Sequence, residues 1–372
     1  MANSIHAKLG LKKVINASGR MSILGVSAPS DTVMDAMKHG GQNYVEMADL
    51  VDRSGAYVAK KLGAEAAVVV NSASSGIALA VAGLVTQGNK RRSLRLHQEP
   101  LDKNEIILLK GHNVQYGAPI ETMIYLGGGK LVEAGYANEG RAEHIEEAIG
   151  EKTAAIFYVK SHHAVQKNML SVEETWTIAK RYGVPLIIDA AAEEDLQKYV
   201  KVSDLAIYSG SKALEGPTSG IVAGKRQYID WVKVQLHGIG RSMKVGKETI
   251  FGLLQALDEY DVKEDHSEQE KASLGVLKAL NDMDGVTVSI VQDEAGRAIY
   301  RARVQIDPEA AGTTAVEVNN RLRDGNVAIY TRDYGLRQGF FDIDPRPLNS
   351  GDIEIIEEKI RAALGGKSNV ND

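Results

Sequence analysis

Short, almost wholly apolar runs recur along the first two-thirds of the chain, and each ends in a polar or glycine-rich junction. Residues 67–70, 105–109, 154–159, 185–188, 205–208 and 220–223 are such runs. Apolar stretches of this length without polar alternation predict strands covered on both faces. Between them, 77–85, 142–149 and 172–182 carry helical spacing. Strand–helix alternation of this kind implies right-handed crossovers and a mainly parallel sheet.

From about Tyr228 the texture changes. Residues 228–236 and 247–260 read as helices, and a charged stretch, 261–270, runs into a further helix over 271–283. Strands at 286–291, 299–306 and 327–331, with helices at 315–323 and 352–363, predict a smaller α+β domain. At 372 residues the chain is too long for one simple core. The expected organisation is an N-terminal segment, 1–50, packing on the active site, a large α/β domain over 51–245, and a small α+β domain over 246–372. Residues 365–372 are polar and expected to fray.

Composition narrows the function. A net charge of −5 gives no general attraction to nucleic acid, so no nucleic-acid partner is expected. The absence of cysteine removes disulfides, thiolate nucleophiles and cysteine metal sites together; no metal is expected, and a reducing cytoplasm suits the chain. The first ten residues hold no apolar run resembling a signal peptide, and no segment is apolar for long enough to span a bilayer.

Three junctions carry candidate chemistry. Ser74, Ser75 and Gly76 lie where a strand passes into a helix. The free N–H groups and positive dipole end of a helix start suit a phosphate, although a serine-rich start also serves as an ordinary N-cap. Asp189 ends the run 185–188 and is followed by Ala190 and Ala191. Ligands bind at the C-terminal edge of open α/β sheets. A carboxylate there needs a cation or its pKa rises, and a pyridinium is such a cation; the alternative is a cap on a following helix. Ala191 is small enough to lie against a flat ring. Ser209-Gly210-Ser211-Lys212 follows the next strand, and Lys212 comes 23 residues after Asp189. A desolvated lysine at a strand end is suited to Schiff-base formation. The order of phosphate loop, strand–Asp and strand–Ser-x-x-Lys is more specific than any of its parts.

With these junctions in place, the sequence resembles the fold-type I pyridoxal-phosphate (PLP) enzymes. Within them it is similar to the branch that contains bacterial selenocysteine synthase, and most to the D-glucosaminate-6-phosphate ammonia-lyases. The resemblance covers nearly the whole chain. It runs through VINASGRM at 14–21, YVEMADL at 44–50, KGHN at 110–113, EAGYANE at 133–139, KSHH at 160–163, DAAAEEDL at 189–196, residues 208–220 and GIGRSMKVGKE at 238–248.

The resemblance implies that Lys212 carries PLP through a Schiff base, that Asp189 holds the ring nitrogen, and that Ser74, Ser75, Gly76 and Ser209 bind the cofactor phosphate. It implies that His112 stacks on the cofactor ring, and that one of the adjacent pair His162 and His163 reaches the site. Arg241, Lys244 and Lys247 resemble a basic cluster of the selenocysteine synthases, with lysine at its second position, and become candidates for an anionic substrate together with Arg20. Arg337 is the candidate for a substrate carboxylate in the small domain. The implied assembly is a homodimer or larger homo-oligomer.

The reaction implied is an elimination on a small phosphorylated amino sugar acid. Lys212 takes the C2 proton, the C3 hydroxyl leaves, and hydrolysis releases a 2-keto-3-deoxy acid and ammonia. The principal rival is a selenium or sulfur transferase acting on seryl-tRNA. The mild acidity of the chain counts against it, as does the short stretch of thirteen residues before Val14.

Overall fold

The computed structural model describes residues 4–161, 163–261, 266–293 and 298–365. The chain forms two compact units, one of Ser27–Val262 and one of Met1–Val26 with Lys263–Asp372. In chain order the principal elements begin with β1 (Lys13–Ala17), α1 (Asp31–Gln42), α2 (Met47–Leu62), β2 (Ala66–Val70) and α3 (Ala73–Thr86). Then come β3 (Glu105–Leu109), β4 (Lys130–Ala134), β5 (Thr153–Val159), α4 (Val172–Tyr182), β6 (Leu186–Asp189), β7 (Leu205–Ser209), β8 (Gly220–Gly224), α5 (Arg226–Val234) and α6 (Lys247–Asp261). The rest are β9 (Val286–Gln292), β10 (Tyr300–Ile306), α7 (Ala315–Arg323), β11 (Val327–Thr331), β12 (Phe340–Ile343) and α8 (Asp352–Ala363).

In the larger unit seven strands form one sheet in the order β2-β8-β7-β6-β5-β3-β4. All run parallel except β8, which is antiparallel to both β2 and β7. Strand side chains alternate between faces, so each strand feeds two cores. Val70, Leu108, Phe157, Ile187, Ile207 and Val222 pack against Ile77 and Leu79 of α3 and Ile229 of α5. On the other face Ile107, Tyr158, Ile188, Tyr208 and Ile221 pack against Val58 of α2, Ile178 of α4 and Leu253 of α6. Coverage of both faces explains why these strands read as unbroken apolar runs.

In the smaller unit β1 pairs in parallel with β11, from Lys13↔Val327 to Ala17↔Thr331. The three strands β12-β10-β9 form an antiparallel sheet. Ile15 and Ala17 of β1 are buried with Leu274, Val304, Ile329 and Ile356. That shared core joins the start of the chain to its last third, where the sequence suggested a cut at residue 50. The cut at 246 also differs from the observed one, because Ile250, Leu253 and Leu257 of α6 are buried in the larger unit's core. The helix expected over 271–283 is a short α-helix, Ser267–Ser273, continued by a 3-10 segment, Leu274–Asp282.

One ionic group inside the smaller unit is closed. Asp344 is fully buried and accepts from Arg301 Nε (3.0 Å), Arg346 Nε (2.9 Å) and Arg346 Nη2 (2.7 Å). Arg301, itself 5% exposed, also donates to Asp293 Oδ1 at 3.1 Å.

Candidate active site

The register of the large sheet brings the chemistry to one edge. Val159 pairs with Asp189, Asp189 with Ile207, Ser209 with Gly220, and Gly220 with Val70. The ends of β2, β5, β6 and β7 and the start of β8 therefore share one rim, at the C-terminal edge of the parallel strands. Alternation from Ile187 directs the Asp189 side chain to the α3 face, and Ser209 follows Ile207 onto the same face.

Asp189 is locked by its backbone, its carbonyl accepting from Lys160 N at 2.9 Å. Its Oδ1 accepts from Ala191 N at 3.0 Å, a turn that leaves Oδ2 with no hydrogen-bond partner among the described residues. Burial pushes the Asp189 carboxyl above its ordinary pKa, and the Ala191 amide and the Lys212 charge pull back without cancelling that rise. The site thus holds a carboxylate that lacks a cation on its open oxygen. A pyridinium nitrogen fits that need.

Lys212 sits in a closed loop between β7 and β8. Gly210 N donates to Ser219 O (2.9 Å), Gly216 N to Gly210 O (2.9 Å) and Glu215 N to Lys212 O (3.3 Å). Ser27 Oγ fastens the loop from outside by donating to Gly216 O at 2.7 Å. Lys212 itself is half-buried. Ser209 is buried, and its Oγ is engaged within the loop by the Ser211 amide and hydroxyl, each at 3.3 Å.

At the start of α3 the three predicted phosphate residues have separate roles. The N-cap is Ser72, whose Oγ accepts from Ser75 N at 3.1 Å while Ser75 Oγ accepts from Ser72 N at 3.1 Å. Ser75 is therefore consumed by a capping box. Gly76 serves packing: a Cβ there would lie 3.1 Å from Val222 and 3.2 Å from Ile207, both on the sheet beneath. Ser74 alone keeps its hydroxyl outside the cap, bonded at 3.1 Å to the Tyr116 hydroxyl. Gly220 seats this helix start, since a Cβ on it would meet Ser72 O at 2.6 Å and Ala73 N at 2.7 Å.

His112 does not join the site. Its ring is fully buried, edge-on to Tyr158 with centroids 4.5 Å apart. Tyr158 belongs to the core on the face opposite Asp189. The ring so placed has no accessible face for a cofactor to stack on, and burial lowers its pKa to about 4. His163 is exposed in the turn after β5, its amide on Ser161 Oγ; His162 lies outside the described residues. Lys247 is a helix cap: its Nζ donates to the carbonyls of Gly40 and Gly41 (2.7 Å) at the end of α1. Arg241 and Lys244 do share a cavity, of about 710 Å³, whose wall includes Met47, Val51, Val70 and Leu236. Arg20 and the exposed Arg337 belong to the smaller unit. Tyr116, absent from the sequence-based candidates, lies on the cofactor face, half-buried against the α3 core and within the field of Asp189.

A mainly parallel sheet with one reversed strand, a lysine loop and a rim aspartate beside it define a PLP-dependent enzyme of fold type I. The family model for L-seryl-tRNA selenium transferase (SelA) matches residues 14–319. D-glucosaminate-6-phosphate ammonia lyase of Salmonella typhimurium (strain 14028s / SGSC 2262) is 44% identical over 97% of this chain and 98% of its own. The 5'-C-glycyluridine monooxygenase-decarboxylase of a Streptomyces species is 38% identical over 96% and 92%. A solved structure of D-glucosaminate-6-phosphate ammonia-lyase superposes with a TM-score of 0.92 at 43% identity, covering 98% of this chain and 99% of that one. The chain belongs to the SelA family and, within it, to the D-glucosaminate-6-phosphate ammonia-lyase group. Its cofactor is pyridoxal 5'-phosphate.

Proposed function

We propose that this enzyme eliminates water across C2–C3 of D-glucosaminate 6-phosphate and lets the resulting imine take up water, giving 2-keto-3-deoxy-6-phosphogluconate with a net loss of ammonia. The observation that carries the reading is the pairing of Lys212 with Asp189 on one sheet rim, in a chain 44% identical end to end to a lyase of that name. PLP, when bound, supplies an electron sink for charge developing at the substrate's α-carbon. The chain's own part begins at Asp189, whose carboxylate would hold the ring nitrogen in its protonated form. The Lys212 amine would take the substrate's C2 proton as general base and return a proton to the departing C3 hydroxyl. The closed loop from Ser209 to Gly220 holds the backbone that carries that amine.

The substrate's distal phosphate needs cations of its own. Arg241 and Lys244, side by side on one cavity wall, suit it. Cytoplasmic placement and assembly into a homodimer or larger homo-oligomer belong to the same proposal, resting on the cysteine-free composition and the family resemblance. Among the described residues no helix is long and apolar enough to cross a membrane.

The test is direct. Purified protein is loaded with PLP and given D-glucosaminate 6-phosphate, and keto acid and ammonia are assayed together. Equal release of both supports the reading; cofactor bound at full occupancy with neither product sinks it. Arg241→Ala should raise KM about tenfold or more for the phosphorylated substrate and leave the unphosphorylated analogue unchanged. Equal effects on both remove Arg241 from the phosphate site.

A further inference from the structure

We propose that Tyr116 is a positioning residue of the cofactor site, fixing the Ser74 hydroxyl as a hydrogen-bond donor to the PLP phosphate. The inference rests on the cofactor reading above and adds a residue to it.

The hydroxyls at the start of α3 are few, and most are spent. Ser72 and Ser75 satisfy each other and the helix backbone, with Ser75 Oγ also donating to Ser72 O at 2.8 Å. Ser74 has no such tie. Its oxygen accepts from the Tyr116 hydroxyl at 3.1 Å, the only side-chain bond it makes in the described protein. A serine oxygen that accepts a proton from a tyrosine keeps its own proton for another acceptor. The amides at a helix start have no intrahelical partner, so a Ser74 donor there adds to their pull on an anion.

The tyrosine is suited to this task. Its ring packs on the apolar core beneath α3, which fixes the phenol's position. Burial raises its pKa, the bond to Ser74 lowers it by less, and the charge of Asp189 adds to the rise, so the phenol keeps the proton that it donates to Ser74. The same phenol feels Asp189, the anchor for the opposite end of the cofactor ring. Tyr116 therefore belongs on the cofactor's face of the sheet, where His112 does not reach.

The experiment measures the apoprotein's dissociation constant for PLP by equilibrium dialysis, with the ³¹P resonance of the bound phosphate as second readout. Loss of one oriented donor to a charged acceptor is expected to weaken binding about tenfold. Tyr116→Phe should show that loss and a shifted ³¹P signal, with the thermal midpoint of the cofactor-free protein unchanged. Ser74→Ala should show a similar loss, and the double variant should bind no more weakly than Ser74→Ala alone, because the tyrosine acts through the serine. Wild-type affinity and an unmoved ³¹P signal in Tyr116→Phe overturn the proposal, as do additive losses in the double variant. Failure of the wild type to bind PLP at all overturns the cofactor reading instead, so the two failures are told apart.

Discussion

Two aspartates, one in each unit, show opposite electrostatics. Asp344 is fully enclosed, and burial alone would raise its pKa. Arg346 and Arg301 outweigh that burial and hold the carboxyl below its ordinary range. Asp189, half-buried at the rim, is also desolvated, with one backbone amide and one lysine near by, and its pKa ends above its ordinary value. The first is a finished structural joint. The second is a carboxyl whose partners do not offset its desolvation, and that difference is what marks a candidate binding site off from a brace.

The comparison can be broken at several points. The largest effect is expected at Lys212. Lys212→Ala should abolish the visible absorbance of lysine-bound PLP and reduce turnover by several orders of magnitude; an unchanged absorbance band removes the lysine from its role. Next comes Asp189→Asn, expected to lower kcat at least a hundredfold while raising the thermal midpoint of the cofactor-free protein. The amide keeps the bond to Ala191 and sheds a poorly compensated charge. Wild-type turnover, or a lowered midpoint, contradicts this account of Asp189.

Asp344→Asn should move stability the other way. It leaves the buried Arg301 and the half-buried Arg346 short of a counter-charge, a loss of about 3–5 kcal/mol, readable by chemical denaturation of the smaller unit's transition. The gentlest effect concerns His112. Its folded pKa, about 4, lies below the unfolded value of 6.5. The unfolded chain therefore binds more protons between those values, and stability falls as the pH drops through that window, by up to about 3 kcal/mol. His112→Phe should flatten the decline between pH 6.5 and 4; an identical slope rules out His112 as its source.

Much of this was legible in the chain itself. The apolar runs ending at Val70, Leu109, Val159 and Ile188 announced buried parallel strands, and Asp189 and Lys212 stood out because the one directly follows such a run and the other lies four residues after the next. Edge elements were less visible. Lys130–Ala134 and Phe340–Ile343 are short, and one carries two charges, so neither gives a clear period. Roles set by distant contacts had no local signal. Lys247 reads as a free cation until α1 ends beneath it, 206 residues away in sequence. His112 and Tyr116 stand four positions apart in one loop, and only the packing shows that they settle on opposite faces of the sheet. Gly76 looked like a ligand loop glycine and is a spacer between helix and sheet.

The reversed strand β8 has a consequence for selectivity. Its first residue, Gly220, is paired on one side with Val70, which leads to the Ser74 cradle, and on the other with Ser209, which leads to Lys212. Both grips proposed for the cofactor are thus mounted on a single backbone position, like the jaws of a fixed gauge. A gauge of that kind does not close on a shorter object, so the vitamer lacking its phosphate ester leaves one jaw empty and is held by the other alone.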